Sequence, residues 1–191
     1  DVPDADREWL EDNQVEVVRV DPHLDLCGSL LRVLDALALR HGSVAVHHGD
    51  SLFPGAAFPD IDTYFIDRTR HAYRWAHCEV ENGRISNVSN ESQSIAQSDT
   101  VLTGFFVFSD LRELALSLAV SEGFAAALQH YAQRTVVKAA TPATWLDFGH
   151  ANSFYTSRAS FTTQRAFNDL QIKSGVVWKS SKRAGRVDAE A

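Results

Sequence analysis

Apolar and polar positions along the chain change period several times, and each change marks a candidate element. Val15 to Val20 reads as a short buried strand. Leu30, Val33, Leu34 and Leu37 then recur at helical spacing until Gly42 stops the helix, and Ser43 to His47 gives a second strand. Strand, helix and strand in quick succession form a βαβ unit, whose parallel strands place functional loops at their C-terminal ends. Asp50 falls just past such an end.

Tyr73 to Val80 and Arg84 to Val88 flank Glu81-Asn82-Gly83, a hairpin signal because Asn and Gly tolerate the backbone that a tight reversal needs. The polar, Ser-rich run from Asn87 to Thr100 reads as a loop, and Val101 to Phe108 returns to strand-forming residues. Leu111 to Tyr131 is mostly helical in pattern. Thr135 to Ala139 reads as a strand that Thr141-Pro142 ends, shortly before Trp145-Leu146-Asp147-Phe148-Gly149-His150. The predicted fold is α/β, a mixed and mostly parallel sheet flanked by helices. Only the Ser/Lys/Arg-rich end after Lys179 reads as weakly ordered.

Composition agrees with one ordinary domain, since 45% of the 191 residues are hydrophobic and 23% charged. Charges interrupt every apolar run well short of the roughly 20 residues that span a bilayer, so no membrane segment is expected. Neither a basic nor a hydrophobic leader precedes Val15, and a cytoplasmic protein is expected. The chain opens on Asp1 and contains no Met, so a segment upstream is expected to be missing. Cys27 and Cys78 lack metal-site or disulfide-framework spacing and read as reduced, structural residues. A net charge of −7 argues against nucleic-acid partners, which require a basic surface. Basic residues are nevertheless dense from Arg158 onward.

Two segments carry candidate chemistry. Gly49-Asp50-Ser51 follows a buried strand, where a carboxylate can face a ligand while the sheet fixes its backbone. Asp147, in the Trp145 to Gly149 segment, is a second such carboxylate, although by itself it equally fits a helix N-cap. Two carboxylates from different strand ends can hold a hard cation such as Mg²⁺, whose remaining ligands are waters and substrate phosphates. Arg158, Arg165 and Lys179 are candidates for an anionic substrate, with Asn152 and Tyr155 lining the same site. His48 beside Asp50 also permits a phosphoester hydrolase in which both hold a transition metal.

Taken in order, these segments resemble the glucose-1-phosphate thymidylyltransferases and related sugar-nucleotide nucleotidyltransferases. Asp21 to Asp50 is similar to the family's run of extended segment, helix and strand ending in Gly-Asp, with Gly28 at the position of a Gly beside the nucleotide. Leu102-Thr103-Gly104-Phe105-Phe106-Val107-Phe108 looks like its Thr-Gly strand beside the sugar site, and Trp145 to Gly149 like its Trp-Leu-Asp-x-Gly. A closer resemblance, carried by Asp147 to His150, Asn152 to Arg158, Thr162 to Leu170 and Val177 to Ser181, is to nucleotidyltransferase-like domains encoded with capsular polysaccharide genes.

The resemblance implies a Rossmann-like nucleotidyltransferase fold lacking its N-terminal part, with residues 1–181 as the partial domain and 182–191 as a tail. It implies Asp50 and Asp147 as the Mg²⁺ pair, and Gly28, Gly49, Glu91, Thr103 and Gly104 among the substrate contacts. The implied reaction joins a nucleoside triphosphate to a sugar-1-phosphate and releases pyrophosphate. The family's Gly-rich start has no counterpart here, and Asn90-Glu91-Ser92 stands where relatives carry Glu-Lys-Pro. A non-catalytic nucleotide- or sugar-binding domain of the same fold is therefore the alternative. Assembly as a homo-oligomer stays open.

Overall fold

The computed structural model describes residues 4–69, 75–90 and 99–173, with the side chains of 4, 5 and 164–173 excepted. In chain order the elements are helices α1 (Asp4–Asp12) and α2 (Leu26–Ala36), then strands β1 (Val44–His47), β2 (Ser51–Leu52), β3 (Thr63–Arg68), β4 (His77–Glu81), β5 (Arg84–Ser89) and β6 (Thr100–Phe108). Helices α3 (Leu111–Val120) and α4 (Phe124–Arg134), strands β7 (Lys138–Ala140) and β8 (Leu146–Asp147), and helix α5 (Ala151–Lys173) follow. The chain divides into two compact units, one of residues 1–19 with 155–191 and one of residues 20–154.

The larger unit is a mixed α/β domain whose six-stranded sheet runs β1-β6-β3-β7-β5-β4, with β4 also touching β6. The expectation of a mostly parallel sheet is corrected: among the described pairings only β3–β7 is parallel. Parallel neighbours need a long connection, and here the chain between β3 and β7 runs through β4, β5, β6, α3 and α4. β6 instead pairs antiparallel with both β1 and β3, and β4 with β5 across the Asn82-Gly83 turn, whose φ angles of 51° and 76° are left-handed.

The βαβ unit is also corrected. Residues 15–20 form no strand, and Val15 and Val17 are exposed. Glu16 and Arg19 interrupt the apolar positions, so the segment offers no continuous face to bury. β1 accordingly takes β6 as its partner, from Val44 opposite Phe108 to His47 opposite Phe105.

The predicted helix after Gly28 exists as α2. Asp25 caps it by accepting from the Gly28 N–H at 2.8 Å, and Leu34 and Cys27 are buried on its inner face. Leu30 packs against the core, while Val33 and Leu37 are only half-buried. The run Leu111 to Tyr131 is two helices, because Gly123 turns the chain at φ 100° before α4. Leu111, Leu114 and Leu118 of α3 and Ala127, Leu128 and Tyr131 of α4 interlock with Tyr64, Leu102, Phe106 and Phe108 of the sheet. Phe53, Phe65 and Phe105 form a separate ring cluster with His47. Asp62 closes the domain's edge by accepting from the Ser109 N–H (2.9 Å), the Ser109 hydroxyl (2.6 Å) and the Tyr131 hydroxyl (2.7 Å).

Cys27 and Cys78 are both buried, and burial pushes the Cys78 thiol up to about 12. Among the described residues, no helix is long and apolar enough to cross a membrane.

Candidate functional site

β2 and β8 form a separate two-stranded antiparallel ladder, with Ser51 opposite Asp147 and Leu52 opposite Leu146. Asp50 immediately precedes β2 and Asp147 ends β8, so the ladder brings both carboxylates to one end. The Phe148 N–H donates to the Asp50 carbonyl at 2.7 Å and extends the pairing past the two aspartates. Gly149 lies between them. A Cβ there would fall on Asp50 Oδ2 and 3.4 Å from Asp147 Oδ1, so the two carboxylates share a space that any side chain would fill.

The two aspartates differ in setting. Asp50 is exposed, whereas Asp147 is 5% exposed and held by three donors. The Gly149 N–H donates to its Oδ1 at 3.2 Å; His150 Nδ1 (3.0 Å) and the Ser153 hydroxyl, in a close contact, both meet Oδ2. Asp147 makes no bond to a backbone N–H in the first turn of α5, so it is not that helix's N-cap.

Both aspartates line a cleft of about 240 Å³, together with His48, Trp75, Asn90, Thr103, Gly104, Phe124 and His150. Gly104 is required there on two grounds. Its φ is +92°, and a Cβ would meet the His48 side chain at 3.0–3.1 Å. His47 and His48 point to opposite sides: His47 Nε2 bonds the Ser51 carbonyl at 2.7 Å, while the His48 ring packs on Phe106 and Phe124. Burial pushes the His48 imidazole below its ordinary value, against the opposing pull of Asp50, which favours the neutral ring. Among the described residues, His48 Nε2 and Thr103 Oγ1 are buried and find no hydrogen-bond partner. Trp75 lies 5.3 Å from Trp145 and 4.6 Å from His150, ring centre to ring centre.

Of the residues singled out in the sequence, Asp50, Asp147, Thr103 and Gly104 are brought to this cleft. Gly28 is not among its lining residues; it sits in the first turn of α2, its N–H tied to Asp25. Gly49 is exposed in the turn before Asp50, with open space where a Cβ would stand. Asn152 is exposed in the first turn of α5. Tyr155 and Arg158 are exposed and belong to the other compact unit. Glu91, Lys179 and the side chain of Arg165 lie outside the described residues.

Among the described residues, no three of His, Cys, Asp and Glu converge as a metal-binding group, so the His48–Asp50 hydrolase pair gains no third ligand. The cleft residues not anticipated from sequence include Trp75, Phe124 and His150, with Ser153 behind Asp147. His150 and Ser153 could have been flagged by their nearness to Asp147, whereas nothing local marks Trp75 or Phe124.

No protein-family model and no curated protein matches the sequence. Solved structures do match the fold. A nucleoside-diphosphate-sugar pyrophosphorylase from Vibrio cholerae RC9 superposes with a TM-score of 0.62 at 13% identity, over 80% of this chain and 74% of that one. A chain assigned as a glucose-1-phosphate thymidylyltransferase from Bacillus anthracis, solved with sucrose, gives 0.59 at 14% identity, over 81% and 70%. The inositol-1-phosphate CTP transferase of T. maritima gives 0.55 at 18% identity, over 78% and 67%. The chain therefore shares its mixed α/β fold with these three structures.

Proposed function

We propose that the protein is a nucleotidyltransferase that joins a nucleoside triphosphate to a sugar-1-phosphate, or a similar phosphate, and releases pyrophosphate. The observation that carries the reading is the convergence of Asp50 and Asp147 on Gly149, inside a cleft, on a fold shared with proteins named for this chemistry. The resemblance to capsular polysaccharide domains extends the proposal to cell-surface polysaccharide synthesis in the cytoplasm.

The donor set suits Mg²⁺, a hard cation that accepts one or two carboxylates and completes its shell with water and phosphate oxygens. Asp50 and Asp147 would hold it, and when bound it would offset negative charge on the phosphates. The chain's own residues do the rest by placement. Asp147 is fixed by its three donors, and Gly149 keeps the space between the carboxylates clear; neither aspartate need act as a base. Thr103 and His48 leave buried polar atoms unpartnered in residues of the cleft wall, which favours a ligand with hydroxyl or other hydrogen-bonding groups. Trp75, Phe106 and Phe124 supply an apolar surface for a ring to lie against.

One observation favours the non-catalytic alternative: among the described residues lining the cleft there is no Lys or Arg to meet a triphosphate. Turnover separates the two. With Mg²⁺ and a panel of nucleoside triphosphates and sugar-1-phosphates, pyrophosphate is expected only when both substrates are present. Asp50→Asn or Asp147→Asn is expected to remove most of that turnover; the exposed Asp50→Asn should leave the melting temperature nearly unchanged, whereas Asp147→Asn, which sets an amide among three donors, should lower it. Nucleotide or sugar binding with no turnover for any pair would establish the binding-domain reading instead.

A further inference from the structure

Asp147 is bonded unevenly, and the unevenness assigns a role to two residues beside it. A carboxylate offers about four lone-pair sites, two on each oxygen. Oδ2 faces two protein donors, His150 Nδ1 and the Ser153 hydroxyl, so both of its sites are occupied. Among the described residues Oδ1 takes one donor, the Gly149 N–H at 3.2 Å, and keeps one site open. Oδ1 is also the oxygen that lies 3.4 Å from the point beside Gly149 where Asp50 Oδ2 comes closest. The free site and the shared space therefore belong to the same atom.

Both donors are themselves held. The His150 ring lies 4.6 Å from the Trp75 ring, which restrains its plane. A carboxylate acceptor requires Nδ1 to carry a proton, so the contact also sets which nitrogen donates. The Ser153 hydroxyl also lies 3.0 Å from the His150 carbonyl, so its single proton is shared between that carbonyl and Asp147 Oδ2, and it is the Asp147 contact that ties the first turn of α5 to the end of β8.

We infer that His150 and Ser153 are positioning residues for the cation site: they occupy Asp147 Oδ2, so that Asp147 presents Oδ1 alone, as a single-oxygen ligand, toward Asp50. The inference rests on the reading of Asp50 and Asp147 as a cation pair. Groups that orient a metal ligand typically change metal affinity 10–100-fold when removed, without touching the metal.

The test is Mn²⁺ binding to the full chain, read from the electron paramagnetic resonance signal of the free aqua ion, with Mg²⁺ as competitor. Melting temperature is followed in parallel. His150→Phe keeps an aromatic ring against Trp75 but removes the donor, and Ser153→Ala removes the hydroxyl. The double variant is expected to bind Mn²⁺ about 10–100-fold more weakly than wild type. His150→Asn, whose amide nitrogen can take the place of Nδ1, and Ser153→Thr should recover most of that loss, which a merely structural role would not explain. If the double variant folds poorly, Ser153→Ala alone gives the answer through a several-fold weakening at unchanged melting temperature. Wild-type affinity in these variants, with Asp147→Asn impaired, overturns the inference and leaves the cation pair standing. Wild-type affinity in Asp147→Asn overturns both.

Discussion

Gly149→Ala separates the architecture of the site from the stability of the fold. Gly149 lies outside the left-handed region, so Ala fits its backbone, and the substitution restricts the unfolded chain slightly. The new methyl group would fall on Asp50 Oδ2, closer than atoms tolerate, and 3.4 Å from Asp147 Oδ1. Asp147 is locked by three hydrogen bonds, so the exposed Asp50 side chain is the group that moves. Swinging an exposed carboxylate away is cheap, and the expected change in unfolding free energy is within about 0.5 kcal/mol of zero. The site responds differently. A displacement of about 1 Å in a positioned group can lower turnover by about 100-fold, equivalent to about 2.7 kcal/mol of transition-state stabilisation. Urea unfolding, Mn²⁺ binding and pyrophosphate release, measured on the same preparation, check the two halves. Wild-type cation affinity and turnover in a variant that is folded would refute the shared-space argument. A loss of several kcal/mol in stability would show instead that Gly149 is needed by the fold.

The core and the buried thiol give two further expectations. Leu34→Ala should lower the unfolding free energy by about 2–5 kcal/mol, because Leu34 is 5% exposed and the cavity left beneath α2 adds to the lost transfer energy; chemical denaturation measures it, and a near-neutral result would overturn the packing of α2. Cys78 keeps its proton in the folded state up to about pH 12, whereas the unfolded thiol loses it from about 9. Its contribution is therefore complete below pH 9 and falls as pH rises toward 12, by at most about 1.4 kcal/mol per pH unit. Stability measured at pH 8, 9.5 and 10.5 should decline more steeply in wild type than in Cys78→Ala, and parallel slopes would refute the assignment.

The sequence by itself determined the elements whose cause is local. The Asn82-Gly83 reversal, the β6 run and the α2 period each depend on residues a few positions apart, and each appears within a few residues of its expected place. It also set the order of the Gly-Asp, Thr-Gly and Trp-Leu-Asp-x-Gly segments, though not their distances. Only the tertiary structure decided which strands meet. Val15 to Val20 has strand-like residues but no partner among the described strands, and β1 pairs antiparallel with β6, which lies more than fifty residues away in the sequence. Strand pairing is a long-range choice that a local period does not encode. The same holds for the site: Trp75 and Phe124 reach the cleft through the packing of distant elements. That Asp147 takes two of its three donors on Oδ2, and is not used as a helix cap, depends on where the first turn of α5 places Ser153 relative to the end of β8.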